Sequence, residues 1–469
     1  MQSKRKDAIA ACRGTKKGGC KPPEFWISFF GLLVLGTLFF AWCIKKPEVS
    51  LSGRAAAFVS AALYGGLCLR FVPEWMRFWR KGGTPSRCLE RPEGPGHTTI
   101  KIFFLLLATD ALVVLLAFAM RKATGYGGTF FQNLEFWRCT DSGHYLDIAR
   151  DWYLSQGDWD RLVQLVFLPG YPVVVRLVDH LVHNVLYSGM LVSALSFAGA
   201  GCVLYRLLRL DLTHGAAVRT IKYLCLMPGA FFLAAPMSES LFLLLCVSSL
   251  YCARTGKWTL GCLFGGLAAF TRTLGLTLVV PLLFEWVRKL RTSGGGAGHK
   301  RRMGVQAASI LLVPAGFAAY CGINMLVSGD PFKFLEYQSV HWGQNMGLFF
   351  NTAAYQMEQA IHSWSTDPHT LLGLWLPNLL ACFASLILMF FAARTMRPSY
   401  TAWFLVYFAV AIGTTWLLSA PRYLAVLLPI PMAVSQLAKK PAADLLATLC
   451  CEALSLLYLF AFVMRWQVW

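Results

Sequence analysis

The sequence has few charged residues for its length. Of its 469 residues, 14% are charged and 57% are hydrophobic, whereas soluble proteins average about 25% charged residues. This deficit excludes an ordinary soluble enzyme, a disordered chain and a secreted disulfide scaffold. A membrane-spanning helix needs about 20 apolar residues, and runs of this kind fill most of the chain. The sequence therefore predicts an all-α polytopic membrane protein.

The chain also lacks paired cysteines and clustered metal ligands. It has fifteen cysteines but no C-x-x-C motif, and most of them lie in apolar runs, where cysteine behaves as a small hydrophobic residue. His180 and His183 are three residues apart, but no acidic pair nearby completes a metal site. We therefore expect neither a metal nor a cofactor, and a divalent metal stays an alternative that the sequence does not support.

Basic residues outnumber acidic residues by 43 to 23, which gives a net charge of +20. They lie mainly in short loops between apolar runs, as cytoplasmic loops of membrane proteins do, so we expect a lipid bilayer as the partner and no nucleic acid. About thirteen transmembrane helices are predicted, at residues 26–44, 55–73, 102–120, 188–208, 220–236, 239–254, 258–272, 275–288, 303–327, 371–393, 400–418, 422–437 and 443–463.

The chain is predicted to have two parts. Residues 1–100 hold a basic tail, a transmembrane hairpin and a cytoplasmic linker, and residues 101–469 hold the main transmembrane domain. Counting the predicted membrane crossings from a cytoplasmic N-terminus places the polar stretches 121–186 and 328–370 on the outer side, where we expect them to form large loops. The piece 166–186 is too polar for a span, and we expect it to form an amphipathic helix at the outer surface.

Polar residues are costly inside a membrane, so their gathering is informative, and here they gather in the predicted outer loops. A helix around residue 141 would place Asp141, His144 and Tyr145 on one face. A carboxylate there could take the proton of an acceptor hydroxyl while that oxygen attacks a sugar carbon. The alternative is that Asp141 only caps the helix that begins after it.

Three other charged residues lie at predicted outer ends of spans. Arg422 follows Pro421 and could hold a phosphodiester through paired hydrogen bonds. The alternative is a long cation that snorkels to the membrane interface, and the same two interpretations apply to Arg272. Glu239 could serve a site or stabilise the first turn of its own helix.

Several short motifs follow one another in a fixed order between about residues 140 and 430. They read Asp141-Ser-Gly-His144-Tyr145-Leu-Asp147, Phe167-Leu-Pro169-Gly-Tyr171-Pro172, Glu239-Ser-Leu-Phe242 followed by Gly261 to Arg272, Gly329-Asp330-Pro331 followed by Phe334, Gln338 and Trp342, and Pro421-Arg422-Tyr423. Together they resemble the PIG-V type mannosyltransferases and their bacterial relatives. One departure is Thr140, because the eukaryotic enzymes usually have Trp before the acid.

The resemblance implies a glycosyltransferase C-like fold with an outer loop that bears short amphipathic helices. It also implies an inverting transfer of a hexose, mannose first, from a polyprenyl-phosphate carrier to a glycan, lipid or protein acceptor on the non-cytoplasmic face. In these terms Asp141 is the catalytic base, and Arg422 and Arg272 bind the donor phosphate. The remaining residues predicted to form the substrate pocket are His144, Tyr145, Asp147, Glu239, Gln338, His341, Trp342 and Tyr423.

Two other functions compete with this interpretation. A lipid-linked-sugar flippase or polytopic transporter would also have many spans, but it would favour repeat symmetry and polar residues at mid-membrane depth. A non-catalytic membrane scaffold is the third alternative. The short loops favour a bacterial plasma membrane with the active site facing outward, and a eukaryotic protein of this kind would lie in the endoplasmic reticulum membrane.

Overall fold

The computed structural model describes residues 23–80, 95–153, 163–292 and 297–469, and within these ranges the chain is 82% helical and has no strands. The predicted all-α architecture is confirmed. The α-helices of five or more residues in these ranges are α1 Pro23–Lys45, α2 Leu51–Arg80, α3 Pro95–Ala123, α4 Phe130–Leu134, α5 Asp141–Asp151, α6 Gly170–Val182, α7 Val185–Leu208, α8 His214–Leu226, α9 Glu239–Arg254, α10 Trp258–Thr271, α11 Val279–Thr292, α12 Ala297–Ser309, α13 Leu312–Ser328, α14 Lys333–Trp342, α15 Phe349–Thr366, α16 Leu376–Ala392, α17 Pro398–Ile412, α18 Ala420–Ala425, α19 Pro429–Leu437 and α20 Pro441–Val463.

Seven helical segments of the described ranges are long and apolar enough to cross a membrane. They are Pro23–Lys45, Leu51–Arg80, His97–Ala123, Val185–Leu208, Lys300–Ser328, Pro368–Ala392 and Pro441–Val463. Each coincides with one of the predicted spans. The protein is therefore an integral, multi-pass membrane protein.

The six other predicted spans form helices that are shorter or interrupted, so the count of thirteen is not confirmed. Helices α9, α10 and α17 have 16, 14 and 15 residues. At 1.5 Å per residue they reach about 21–24 Å, less than the roughly 30 Å hydrocarbon core. The predicted spans 220–236 and 422–437 are each divided in two, where Pro228 and Pro429 interrupt the apolar run.

The region 121–186 contains short helices, as predicted, namely α4, α5 and α6. Helix α6 buries Tyr171 and Val175 against the core, while its exposed side carries both polar residues (Arg176 and His180) and apolar ones (Leu177 and Leu181). The apolar part of that side is what a helix at a membrane surface presents to lipid. The side of the membrane on which this region lies stays a prediction.

The region 328–370 was predicted as a loop, but most of it folds into helices α14 and α15. Helix α15 packs against α2, and Trp42 Nε1 of the hairpin donates a hydrogen bond to Asn351 Oδ1 at 2.7 Å. The backbone N–H of Ser50 donates to Glu358 Oε1 at 2.6 Å. The N-terminal hairpin thus contacts the later part of the chain, and the domain boundary at residue 100 stays a prediction.

Helix α9 runs between two buried groups of ion pairs. Its first residue, Glu239, is 1% exposed, and its last, Arg254, is fixed by Asp211. Fifteen residue steps at 1.5 Å separate the two by about 22 Å. We call the Glu239 end of the bundle the cavity end and the Arg254 end the opposite end.

The opposite-end cluster consists of Asp211, Arg254, Glu285 and Arg397. Arg254 Nη2 donates to Asp211 Oδ1 at 2.8 Å, and Arg397 donates through Nε and Nη2 to the two oxygens of Glu285 at 2.5 and 2.7 Å. The hydroxyl of Ser399 adds a third hydrogen bond to Glu285, at 2.7 Å. Each carboxylate here has both oxygens paired, so the cluster joins the α7–α8 loop, α9, α11 and the start of α17.

Candidate functional site

A cavity of about 140 Å³ opens at the cavity end of the bundle. Its walls come from six separate regions of the chain. Seven residues predicted for the site line it, namely Asp141 and Tyr145 from α5, Arg272 after α10, Gln338 and Trp342 from α14, and Arg422 and Tyr423 from α18. Residues more than 280 positions apart in the sequence therefore meet at one surface.

Asp141 is the first residue of α5, and its carboxylate accepts a hydrogen bond from Arg422 Nη2. Thr140 and not Asp141 is the N-cap residue of α5, and the Asp141 carboxylate is paired with Arg422, so the capping interpretation does not account for its side chain. The preceding Thr140 has φ of +52°, a strained conformation for a β-branched residue. Strain of this kind costs about 1–3 kcal/mol and tends to collect at functional sites.

The short turn that starts α5 is fixed from inside. Ser142 is fully buried, and the carbonyls of Trp137 and Cys139 share the single hydrogen that its hydroxyl donates. These bonds hold the chain in the sharp bend at Thr140. As a result Asp141 is directed into the cavity by a rigid backbone and not by a free loop.

Glu239 lies behind the cavity wall and bridges two arginines. One carboxylate oxygen, Oε1, accepts from Arg272 Nη1 and lies 3.1 Å from Arg422 Nε, an ion-pair distance without hydrogen-bond geometry. Arg272 also donates to Ser238 Oγ at 3.0 Å. The other oxygen, Oε2, has no hydrogen-bond partner. We call Asp141, Glu239, Arg272 and Arg422 the cavity cluster.

Both arginines of the cavity cluster are buried. Arg272 is 9% exposed and Arg422 is 5% exposed, whereas a snorkelling arginine would extend its head group into water. The snorkelling interpretation is therefore wrong for both residues. Two arginines balance two carboxylates, so the cluster is formally neutral before any ligand binds.

Arg422 is placed by α18, a six-residue helix whose N-terminus contacts a glycine. Gly229 has φ of +86°, and a Cβ there would come within 2.9 Å of the carbonyl carbon of Pro421. Any side chain at residue 229 would push Pro421, and with it Arg422, out of position. The Arg422 guanidinium also lies 5.4 Å from the ring of Tyr423 and 5.5 Å from that of Phe232.

Tyr145 and His144 follow Asp141 on α5. The Tyr145 hydroxyl is hydrogen-bonded to Ser238 Oγ at 2.9 Å, and burial raises the pKa of this phenol to about 12. The His144 ring stacks on Phe167 at 4.7 Å between centroids. Burial lowers the pKa of His144, and the nearby Asp141 and Asp147 carboxylates only partly oppose this. Because its ring stacks on Phe167, which lines the cavity, His144 supports the aromatic wall from behind.

Gln338 and Trp342 lie four residues apart on α14 and so face the same side. The Gln338 side-chain amide donates to Gln344 Oε1, and Gln344 donates to the carbonyl of Trp416 at 2.8 Å. The Trp342 ring meets Phe167 edge to face at 5.8 Å. An amide and an indole on one wall are groups that commonly contact sugar hydroxyls and sugar rings.

Four residues predicted for the pocket do not line the cavity. Asp147 is paired with Arg138 at 2.7 Å on the outer face of α5. His341 stacks on Tyr337, because one helical step turns it away from the Trp342 face. His144 and Glu239, the other two, each contact a residue that does line it.

Several lining residues were missed by the sequence interpretation. Trp469 and Gln344 both line the cavity. Gln344 lies two residues after a motif and could have been included on its polarity. Trp469 follows the last span and carries no motif, so only the fold reveals its place.

No group of three His, Cys, Asp or Glu side chains at metal-binding spacing occurs within the four described ranges. The cavity cluster itself consists of two carboxylates and two guanidiniums. That the protein needs no metal stays a prediction.

Comparison with known proteins identifies one family. The model of the family Mannosyltransferase (PIG-V) matches residues 105–292, which include Asp141, Glu239 and Arg272 but end before Gln338 and Arg422. No curated protein matches the chain. The family match supports a membrane glycosyltransferase, and it confirms the resemblance of the chain to the PIG-V type mannosyltransferase family.

Proposed function

We propose that this protein moves a hexose, mannose first, from a polyprenyl-phosphate carrier to a hydroxyl of a glycan, lipid or protein acceptor on the non-cytoplasmic face of the membrane. The observation that carries the proposal is the direct pairing of Asp141 with Arg422 at the wall of one cavity. This transfer requires a carboxylate that can accept a proton next to a cation that can bind phosphate.

In the proposed reaction the acceptor oxygen attacks the anomeric carbon of the hexose and its proton passes to Asp141. The bond between that carbon and the carrier phosphate breaks, and the carbon inverts. Arg422 and Arg272 balance the charge that grows on the leaving phosphate. One proton is moved, one glycosidic bond forms and one phosphate ester bond breaks, so no further reactant is needed.

The pairing of Asp141 with Arg422 has a consequence for the order of events. Arg422 Nη2 donates a hydrogen bond to one oxygen of the Asp141 carboxylate, and this bond competes with a hydrogen bond from the acceptor hydroxyl. A donor phosphate that takes over Arg422 would free Asp141 to accept a proton. We therefore propose that the donor binds before the acceptor reacts, and that donor binding activates the base.

The aromatic wall supports the choice of a sugar as the transferred group. Trp342, Tyr423 and Trp469 line the same cavity as the charged residues. Flat aromatic surfaces beside hydrogen-bonding side chains are typical of sites for small polar rings. The proposal assigns Trp342 and Gln338 to the hexose, and the phosphate to the arginine side of the cavity.

The test is transfer of label from polyprenyl-phosphate mannose by the purified full chain, with a panel of hydroxyl acceptors. We expect Asp141→Asn to lower transfer by at least about 100-fold, the loss typical of removing a general base. Asp147→Asn is the matched control, since Asp147 lies on the same helix but outside the cavity, and it should transfer normally. Near-normal transfer by Asp141→Asn would remove Asp141 from the catalytic role.

A binding measurement separates the base from the phosphate site. Asp141→Asn should bind polyprenyl phosphate at least as tightly as the natural protein, because Arg422 loses its competing partner. Arg422→Gln should bind it more weakly. If the purified chain transfers no label but moves lipid-linked sugar between leaflets of vesicles, the protein is a flippase and the proposal fails.

A further inference from the structure

A second concave surface lies at the opposite end of the bundle, away from the cavity. It has a volume of about 570 Å³, and its lining residues are Leu69, Arg70, Pro73, Glu74, Arg77 and Arg394. We call it the arginine groove. Three arginines and one glutamate give its walls a formal charge of +2. The groove is at the opposite end because Arg394 is three residues before Arg397 of the opposite-end cluster.

The groove forms where α2 leans against α16. Gly66 lets the two helices approach, since a Cβ there would come within 3.1 Å of the Phe390 ring. One turn later, Arg70 lies flat over Phe390 with 3.7 Å between the guanidinium and the ring centroid. Arg70 Nη1 also donates to the Phe390 carbonyl at 2.9 Å. The side chain is thus held in place, and only one of its five N–H donors is used by these contacts.

Only one of the three arginines of the groove is paired with an acid. Arg77 is paired with Glu74 at 2.5 Å, which accounts for the single acid. Arg394 is exposed, and within the part of the chain that the structure describes its side chain has no hydrogen bond and no ion pair. Two arginines, Arg70 and Arg394, therefore have donors free for an anion.

The surface beside the groove is apolar and exposed. Leu69 is 44% exposed on α2, and Ile387 and Phe391 are 42% and 55% exposed one turn apart on α16. Both helices belong to segments long enough to cross the membrane, so these side chains face lipid. An anion that also carries acyl chains can bind the arginines and the apolar strip together, whereas a water-soluble anion can use only the arginines.

We infer that the arginine groove binds the phosphate-bearing headgroup of an anionic membrane phospholipid. Juxtamembrane arginines attract anionic lipid because the phosphate accepts charge-assisted hydrogen bonds. The site is separate from the cavity that holds Asp141 and does not depend on the proposed transfer reaction. It adds a lipid-binding function at the end of the molecule where the basic loops are predicted to face the cytoplasm.

The test titrates the delipidated full chain in detergent with phosphatidylglycerol and counts bound lipid by native mass spectrometry. We expect Arg394→Gln to weaken binding about fivefold and Arg70→Gln with Arg394→Gln about 25-fold, because each basic side chain near an anionic surface contributes about this factor. Arg394 is exposed and unpaired, so its variant should fold normally, which circular dichroism would check.

Arg206→Gln is the matched control, since Arg206 is an exposed arginine on α7 outside the groove; its binding should equal that of the natural protein. Phosphatidylcholine should bind more weakly than phosphatidylglycerol. Equal binding of phosphatidylglycerol by the natural chain and the double variant would overturn the inference. Full displacement of the lipid by inorganic phosphate at similar concentration would show a soluble-anion site and would also overturn it.

Discussion

Two buried clusters of two acids and two arginines lie at the two ends of α9, and they differ in how completely their groups are paired. In the opposite-end cluster both oxygens of Asp211 and of Glu285 accept hydrogen bonds. In the cavity cluster Glu239 Oε2 and Arg422 Nε have no hydrogen-bond partner. The same set of one Asp, one Glu and two Arg thus forms a saturated cluster at one end and an unsaturated one at the other.

The difference shows which cluster is built to bind something. A saturated ion-pair network has no donor or acceptor left, so it can stabilise packing but cannot recognise a ligand. An unsaturated cluster beside a cavity retains hydrogen-bonding capacity for a substrate, and it pays for that capacity in stability. The comparison therefore predicts opposite outcomes for equivalent substitutions at the two ends of α9.

The largest effect on folding should follow Arg397→Gln in the opposite-end cluster. This change leaves Glu285 buried without its bidentate partner, and breaking a buried pair in this way costs about 3–5 kcal/mol. We expect a large fall in the temperature at which the detergent-solubilised protein unfolds. The folded fraction should transfer sugar at the normal rate, because the cluster is about 22 Å from Glu239.

Arg291→Gln is the control for that change, since Arg291 is an exposed arginine on α11, the same helix as Glu285. It should cost less than about 1 kcal/mol. If Arg397→Gln lowered the transfer rate per folded molecule as strongly as a cavity substitution, it would be wrong to assign a structural role to the opposite-end cluster and a functional role to the cavity cluster.

The equivalent change at the cavity end, Arg422→Gln, should act mainly on the reaction. Removing one preorganised group that stabilises developing charge commonly lowers the rate about 100- to 1,000-fold. Stability should fall less than in Arg397→Gln, because Glu239 keeps Arg272 and Asp141 can contact water in the cavity. Rates measured per folded molecule, together with unfolding temperatures of both variants, would check this contrast.

A smaller effect is expected for Tyr145→Phe, which removes the hydrogen bond between the phenol and Ser238. A single hydrogen bond of this kind contributes about 1 kcal/mol, so the unfolding temperature should fall by a few degrees. Ser238 retains its contact with Arg272, and transfer should fall only severalfold. A loss as large as that of Arg422→Gln would show that the phenol contacts substrate directly.

The smallest effect concerns pH. Because burial lowers the pKa of His144 below its usual value of about 6.5, the folded protein binds a proton there less readily than the unfolded chain. The stability that depends on neutral His144 is complete above about pH 6.5 and is lost as the pH falls below it. We expect His144→Phe to flatten that part of the stability curve while the exposed His362→Gln leaves it unchanged.

The sequence predicted which residues line the cavity better than it predicted how their side chains pair. Motifs identified Asp141, Arg272 and Arg422, since polar residues in an apolar chain are few and stand out. Their pairing could not be predicted, because it depends on how α18 meets α5 across 281 residues. Likewise, Trp342 lines the cavity and His341 does not, and this follows from the rotational phase of α14, which a motif does not contain.

The predicted number of membrane spans was not confirmed for a different reason. Hydropathy measures composition and so detected every long apolar segment, including α1 and α20. It did not show that the runs 220–236 and 422–437 are divided, because a single proline interrupts the helix but changes the average hydropathy of the run only slightly. The loop 328–370 was assigned by its polarity, although α15 within it buries Phe350 and Thr352 against its neighbours.

The glycine at residue 229 has a consequence for anyone who screens a library of random variants of this protein. Its missing side chain makes room for Pro421, nearly two hundred positions further along the chain. Nearly every replacement at this codon should therefore appear among the inactive clones, next to replacements of Arg422. Such a screen would record a hit in a residue with no functional group, and the reason would be the space that it leaves open.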